Sequence, residues 1–458
     1  MRTWDFFDTL MGRACGEPWR VFELMGGEEF KRVRQAAEQK SDKTWAGIYR
    51  VLQRMTGWSD EKIAATAAEE FEWERKLAFP ITANLAQVSP GDMVITDTYF
   101  DAAQIRALGD QIGLPNVTIH ASYGDKHHGR IWQDLKARRV PVTLHTGDNK
   151  HADYDMARRY SVPAQHYIDG AITTLERGLQ NMGHWDVAAL SRCVRLQNPY
   201  ASTDARHMAY KKQASYNVPF LLLIAARLRQ YIEEHKHRHV YFVTRDMGLV
   251  RKVFTHLYPD VPTDVFYASR QTFFHPTDTF LRYARKCAAT PNALFVDLQG
   301  TGRSAKMFQD KHKIQLPYLF CAAPHRLPVH VPVLYRIRSH GTELEVFNYD
   351  TQGRVLDVVD GKPVRANVEY DVNLVEPAHK AVDTLLPYIF QPPTTPKDEM
   401  MQQVFYYNRY ALSALVQQHV VEHKKLDPAD PDAREERAFA VEDSQRKADA
   451  QRRRFRRP

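Results

Sequence analysis

Cysteine is scarce. The 458 residues hold four (Cys15, Cys193, Cys287 and Cys321), far apart and with no C-x-x-C pair. That argues against a zinc site or a disulfide frame and for a reducing, cytoplasmic setting. Long apolar runs are missing too. The longest, Pro219 to Ala226, falls well short of the ~18 residues of a membrane span and reads as a buried helix. Asp5 and Asp8 interrupt the N-terminus, so it does not read as a signal peptide. Charge of one sign is also sparse outside the tail. The net charge is +8, but the last eight residues, QRRRFRRP, carry five arginines, leaving about +3 for everything before them. A basic body is the footprint of nucleic-acid binding; a basic tail on a near-neutral body offers only a tail contact to nucleic acid or another anionic partner. What the chain does have is 43% apolar and 11% aromatic residues, which excludes wholesale disorder and supplies sizeable cores. Its length accommodates two or three domains of roughly 100–200 residues.

The first ten residues, MRTWDFFDTL, put one carboxylate, Asp5, among Trp4, Phe6 and Phe7. This predicts a short buried strand with Asp5 at its carboxyl tip, where open α/β sheets place their ligands. Three later stretches extend the pattern. GDMVITDTYF sets an apolar strand before the hydroxyl of Thr96, and SYGDKHHGRIW supplies Lys126 in a polar loop that opens a helical pattern. VPVTLHTGDNKHADYD gives another strand, a turn at Gly147 and Asp148, and a further acid, Asp153. Each residue alone reads as an ordinary strand-end polar group; together and in order they form a set.

A nucleophilic Asp, a Thr hydroxyl, a Lys and an acidic pair on successive strand tips resemble the four motifs of the haloacid dehalogenase (HAD) superfamily. FDTL resembles the end of its first motif, and GDNKHAD is similar to its last. The resemblance implies an HAD-like Rossmannoid parallel sheet with Asp5 as nucleophile and Thr96 and Lys126 stabilising the phosphoryl group. It also implies a Mg²⁺ held by Asp5, the backbone carbonyl of Phe7 and Asp148, with Asp153 in support. The chemistry is consistent: a carboxylate can form an acyl-phosphate, and a hard cation on carboxylates neutralises charge on the phosphoryl group. One position departs. Phosphatase members carry a second Asp two residues after the nucleophile, and here that residue is Phe7, as in dehalogenase-type members; the nearest acid is Asp8. A general acid–base group typically supplies about 10²–10⁴-fold in rate, so Asp8 is the candidate substitute.

Between Asp5 and Thr96, WRVFELM, EFKRVRQAAEQK, TWAGIYRVLQRMTG and DEKIAATAAEEFEWERKLA repeat apolar residues at three- and four-residue spacing. They predict a helical cap over about residues 12–88, with a helix stop at Gly57 and a start at Ser59. These stretches, with TDTYF and HTGDN, resemble an HAD branch of predicted hydrolases associated with polysaccharide and glycosyltransferase functions. On this reading residues 1–170 are the HAD-like core and 171–205 a connector. Residues 206–390 form a second α/β domain, and 391–458 an amphipathic helix with a basic, disordered tail.

In the second domain, HVYFVTRD, DVFYAS, ALFVDLQG and PYLFCAAPH alternate with helical patterns, as a parallel sheet requires. FVDLQGTGRSAKMF is its most informative stretch, a strand ending in Asp297, a Gly-rich loop and a helix start. Backbone N–H groups there make an anion site, to which Thr301, Gly302, Arg303 and Ser304 contribute. Arg245, Asp246 and Arg270 lie on neighbouring strand ends, so a phosphorylated ligand is the expectation, against a plain structural turn. The His-rich EEHKHRH reads as a solvated loop. HVPVLYRI and ELEVFNY read as strands, and TQGRVLDVVDGKPV as a hairpin with turns at Gly353 and Gly361.

Three functions follow as expectations. The first is a Mg²⁺-dependent HAD-type phosphohydrolase or phosphotransferase acting through an aspartyl-phosphate on a phosphorylated small molecule, be it metabolite, sugar or nucleotide. The second is a vestigial HAD protein that binds phosphate ligands or serves as a scaffold. The third is a nucleic-acid end-processing phosphatase that uses the arginine tail.

Overall fold

Apolar runs of three to seven residues become the strands of two parallel sheets, with β-branched and aromatic side chains filling both faces. The computed structural model describes residues 1–324, 330–337, 342–367 and 372–407. The chain divides into two units, one of Met1–Pro219 with Lys380–Thr394, the other of Phe220–His379 with the described residues from Thr395 on.

The first unit contains β1 (Arg2–Trp4), β2 (Met11–Arg13), β3 (Ala78–Pro80), β4 (Met93–Asp97), β5 (Thr118–Ser122), β6 (Leu144–Gly147) and β7 (Ala164–His166). Its main sheet runs β5-β4-β1-β6-β7, all parallel, with β1 in the centre. Trp4 pairs with Val94 on one side and with Thr146 on the other. Successive residues of β4 point to opposite faces. Val94 packs with Ile105 and Leu108 of the helix Ala102–Ile112, and Ile95 with Ile131, Trp132 and Leu135 of the helix Arg130–Ala137. The sheet is therefore covered on both sides, and its polar groups reach solvent or ligand only at its edges and ends.

After β1 the chain leaves the sheet through an antiparallel neck of β2 and β3, in which Gly12 faces Phe79. A Cβ at residue 12 would lie 2.2 Å from the Phe79 ring, so only glycine fits this crossing. The neck carries α1 (Trp19–Lys40), broken by non-helical backbone at Gly26 and Gly27, α2 (Trp45–Thr56) and α3 (Asp60–Leu77). Gly57 ends α2 in the left-handed conformation, and the Ser59 hydroxyl caps α3 by accepting from Lys62 N–H, at the stop and start expected from sequence. Ala37, Ile48 and Leu52 form the apolar centre of the insertion. Beside it lies an ion pair with no solvent exposure: Arg34 Nε and Nη2 each donate to a Glu70 oxygen at 2.8 Å, and Tyr49 Oη donates to Glu70 at 2.6 Å. Residues 171–205 hold the helices Thr174–Asn181 and Trp185–Leu196 and belong to the first unit.

The second unit contains β8 (His239–Val243), β9 (Thr263–Phe266), β10 (Ala293–Gln299), β11 (Tyr318–Pro324) and β12 (Val333–Ile337) in the parallel order β12-β11-β10-β8-β9. A hairpin of β13 (Val355–Val359) and β14 (Lys362–Arg365) turns at Asp360 and Gly361, both at positive φ. ELEVFNY, read from sequence as a strand, instead contains the short helix Thr342–Val346. Its buried Leu344 and Phe347 sit three residues apart, and Asn348 Nδ2 donates to the Leu344 carbonyl at 2.8 Å, closing the turn. Residues 398–407 are helical; the remainder of the expected amphipathic helix and the basic tail lie outside the described residues. Among the described residues no helix is long and apolar enough to cross a membrane.

Removing one partner of a buried bidentate pair strands the other charge. Glu70→Ala is expected to destabilise the protein by about 3–5 kcal/mol, measured as a shift in the urea unfolding midpoint, while Glu72→Ala on the exposed face of α3 leaves it unchanged within about 0.5 kcal/mol.

Candidate functional site

The carboxyl ends of β5, β4, β1 and β6 lie side by side, and the loops that leave β1, β5 and β6 bring one cation and three carboxylates together. Asp5 follows β1 directly and is buried. Lys126, buried in the turn before the helix Arg130–Ala137, places its ammonium on Asp5 Oδ1 and on Asp153 Oδ1, the latter at 2.5 Å. Its loop is fixed by Asp97 at the end of β4, whose two oxygens accept from the backbone N–H groups of Lys126 (2.9 Å) and His127 (2.8 Å). Thr96, also buried, sits one residue earlier on β4, at the same edge of the sheet.

Asp148 and Asp153 come from the loop after β6. Gly147 is needed for close approach, since a Cβ there would fall 2.2 Å from the Asp153 carboxyl carbon. The Asn149 N–H donates to Asp153 Oδ2 at 2.9 Å, and His145 Nε2 faces Asp153 Oδ1 at 3.1 Å. Thr9 joins the two loops, its hydroxyl donating to Asp5 Oδ2 and accepting from the Asp148 N–H, both at 3.1 Å. One oxygen each of Asp5, Asp148 and Asp153 lies within 4.8 Å of the others.

The electrostatics follow from this crowding. Burial pushes the Asp5 carboxyl well above the usual range; Lys126 pulls it back, and Asp153 and Asp148 push it further up. Burial, Asp8 and Asp153 raise Asp148 to about 6. For Asp153 burial acts upward, but Lys126 and His145 outweigh it and hold the group well below its ordinary value. Burial keeps His145 neutral by lowering its pKa. The neutral ring then donates from Nε2 to Asp153 and accepts at Nδ1 from Thr3 Oγ1, 2.9 Å away. One ammonium thus faces three carboxylates, and the cluster is short of positive charge.

Phe7 and Asp8 form the turn that leaves β1. The Phe7 ring packs against Phe6 and Phe100, with the Arg13 guanidinium 4.1 Å from its centre. Asp8 has a φ of 56°, and its carboxylate pairs with Arg192 Nη2 at 2.8 Å. Arg192 also donates from Nε to the Gly170 carbonyl at 2.7 Å. Asp8, Asp148, His166 and Arg192 line one cavity of about 260 Å³, walled by Tyr167 and Ile168.

The remaining sequence candidates lie in the second unit. Arg245 and Asp246 follow β8, Arg270 opens the helix Arg270–Phe274 after β9, and Asp297 lies on β10. Thr301 and Gly302 form the loop after β10, and Arg303 and Ser304 open the helix Arg303–His312. Asp246 and Asp297 feel each other's charge, with Arg245 acting on the first and Arg270 on the second.

Sequence reasoning missed Thr9, Asp97, His145 and Arg192. Thr9 and Asp97 sit next to motif residues and were open to reading as their supports. His145 is a polar residue on an otherwise buried strand, a detectable signal. Arg192 lies 184 residues from Asp8 and has no local signal. No family model matches this chain, and no curated protein matches it.

The carboxyls of Asp148 and Asp5 are raised in the folded state, so the stability they contribute is greatest below about pH 4 and is lost as pH rises through about 6 for Asp148. In chelator, Asp148→Asn is expected to match wild type near pH 4 and to exceed it in urea unfolding midpoint at pH 7. A constant difference across that range contradicts this electrostatic account.

Proposed function

We propose that the first unit is an HAD-type phosphohydrolase or phosphotransferase, Mg²⁺-dependent, working through an aspartyl-phosphate on Asp5. The observation that carries this reading is the Lys126 ammonium shared by Asp5 and Asp153, within a cluster whose third carboxylate is Asp148. The cluster suits a hard divalent cation: its donors are carboxylate oxygens, and burial first and neighbouring carboxylates second raise Asp5 and Asp148. Asp5, Asp148 and the Phe7 carbonyl would hold it, with Asp153 in support. Bound there, Mg²⁺ supplies positive charge to offset that of the phosphoryl oxygens.

The residues divide the work. Asp5 attacks phosphorus, the ester P–O bond breaks, and the leaving oxygen takes a proton; water then attacks the phosphorus of the acyl-phosphate and restores the carboxylate. Lys126 and Thr96 stabilise the equatorial oxygens. Lys126 also pulls the Asp5 carboxyl back toward the ionised form, against its burial, and a nucleophile requires that form. Asp8 stands in for the acid absent at position 7. It lines the same cavity as Asp148, and Arg192 holds its carboxylate at the cavity wall.

A second reading, a site that binds phosphate without turnover, is favoured by one observation. The position of the usual acid is filled by the Phe7 ring, packed against Phe100 under Arg13. The two readings separate in one assay of phosphate release from a panel of phosphorylated metabolites. The catalytic reading expects activity that needs Mg²⁺, falls to background in Asp5→Asn and drops by about 10²–10⁴-fold in kcat for Asp8→Asn. Wild-type protein that binds phosphate ligands but releases none under any divalent metal would establish the second reading.

A further inference from the structure

The sheet of the second unit ends at β9, whose outer edge pairs with no other strand of the order β12-β11-β10-β8-β9. Helices cover both faces beside it. Successive residues of β8 point to opposite faces. Phe242 meets Phe254 of the helix Gly248–Leu257, whereas Tyr241 lies in one core with Phe280, Ala284 and Cys287 of the helix Asp278–Ala288. A cavity of about 710 Å³ opens at this edge, lined from the first helix by Arg251 and from the second by Arg282 and Lys286. Its volume lies within the ~300–1,000 Å³ of small-molecule sites.

The three cations of this cavity are unpaired. Among the described residues none of their side chains makes an ion pair or a hydrogen bond. Arg251 is half-buried, and its Nε is shut away from water with no acceptor, a costly state for an N–H. Arg282 and Lys286 stand four residues apart on one helix face, where like charges repel. Two carboxylates also line the cavity, yet neither pairs with these cations. Asp264 Oδ2 faces His239 Nε2 at 3.1 Å, and Asp360 is exposed at the turn of the β13–β14 hairpin. The frame behind the cations is fixed. Tyr283 Oη donates to the Val265 carbonyl at 3.1 Å and accepts from the Tyr267 N–H at 3.0 Å, and Tyr241 Oη bonds Thr290 Oγ1 at 2.9 Å. These bonds fasten the helix Asp278–Ala288 and the turn after it to β8 and β9, so its two cations stand on a rigid element before anything binds.

We propose that this cavity is a second ligand site, sharing no residue with the Asp5 cluster, that takes a small molecule carrying a diphosphate. Three cations exceed what a single phosphate requires, and two of them are arginines, whose forked donors match phosphate oxygens. One phosphate lies on Arg251, which gives the stranded Nε its acceptor, and the other on Arg282 and Lys286. The remaining volume, along Tyr267 and Val358, takes the group to which the diphosphate is esterified.

The test is calorimetric titration, in metal-free buffer, of the full chain carrying Asp5→Asn, so that the first unit does not consume the probe. Pyrophosphate is the probe; inorganic phosphate, ADP and a short single-stranded oligonucleotide are the comparators. Pyrophosphate is expected to saturate one site and to bind at least about tenfold more tightly than phosphate, the worth of one charge-assisted hydrogen bond. ADP should bind at least as tightly as pyrophosphate. Adding Arg282→Ala or Lys286→Ala, both at exposed positions, should keep the unfolding midpoint and weaken pyrophosphate about tenfold. Arg251→Met keeps an apolar stem and removes the unpaired Nε. Its ligand-free midpoint should therefore equal or exceed that of the parent, while its affinity falls at least about tenfold. A purely structural Arg251 would do the reverse, lowering the midpoint and sparing the affinity. No saturable binding, equal affinity for phosphate and pyrophosphate, weaker binding of ADP than of pyrophosphate, tighter binding of the oligonucleotide, or full affinity in Arg251→Met would each overturn the proposal.

Discussion

The first unit depends on one buried ammonium. Lys126 is enclosed by protein, and a lone charge in that position would be prohibitively unfavourable. It is tolerated because Asp5 and Asp153 flank it, and those two come from loops after different strands. The pair of contacts therefore ties the tips of β1 and β6 to the loop after β5. Everything nearby serves that tie. Asp97 holds the Lys126 loop by two backbone amides, Gly147 makes room for Asp153, His145 fixes the Asp153 carboxylate, and Thr9 links Asp5 to the Asp148 backbone.

The arrangement leaves more negative than positive charge, and that imbalance gives the site its chemical character. A structural ion pair is normally balanced, since surplus buried charge lowers stability without compensation. Here the surplus falls on Asp5 and Asp148, which face the ligand end of the sheet, while Asp153, pinned between Lys126 and His145, stays ionised. The second unit repeats the theme in another form. Its carboxylates also gather at the carboxyl end of a parallel sheet, but their offsetting charges are arginines on loops, not a buried lysine. The first unit's ammonium is locked between two carboxylates and so sits at a fixed point.

How much of this was open to a reading of the chain depended on distance along it. Strand tips are local: an apolar run followed by a polar residue marks where a parallel strand ends, so the positions of Asp5, Thr96 and Asp148 relative to their strands were readable. The helix stop at Gly57 and start at Ser59 are equally local, since a left-handed residue and a side-chain cap each act within one turn. ELEVFNY misled because Leu344 and Val346 alternate like a strand while Leu344 and Phe347 pair like a helix, and a run that short satisfies both periods. Arg192 was invisible because its partner, Asp8, is brought to it only by folding.

The amino-acid sequence by itself determined the α/β class, the placing of acids and a lysine at strand ends, and the helical insertion after β1. These follow from side-chain periodicity and backbone preference, which act over a few residues. Only the tertiary structure decided that Lys126 would bridge Asp5 and Asp153, that Asp148 would share their cluster, and that Arg192 would take Asp8. Those outcomes depend on strand order, and strand order is set by how two sheets bury their faces under helices drawn from distant parts of the chain.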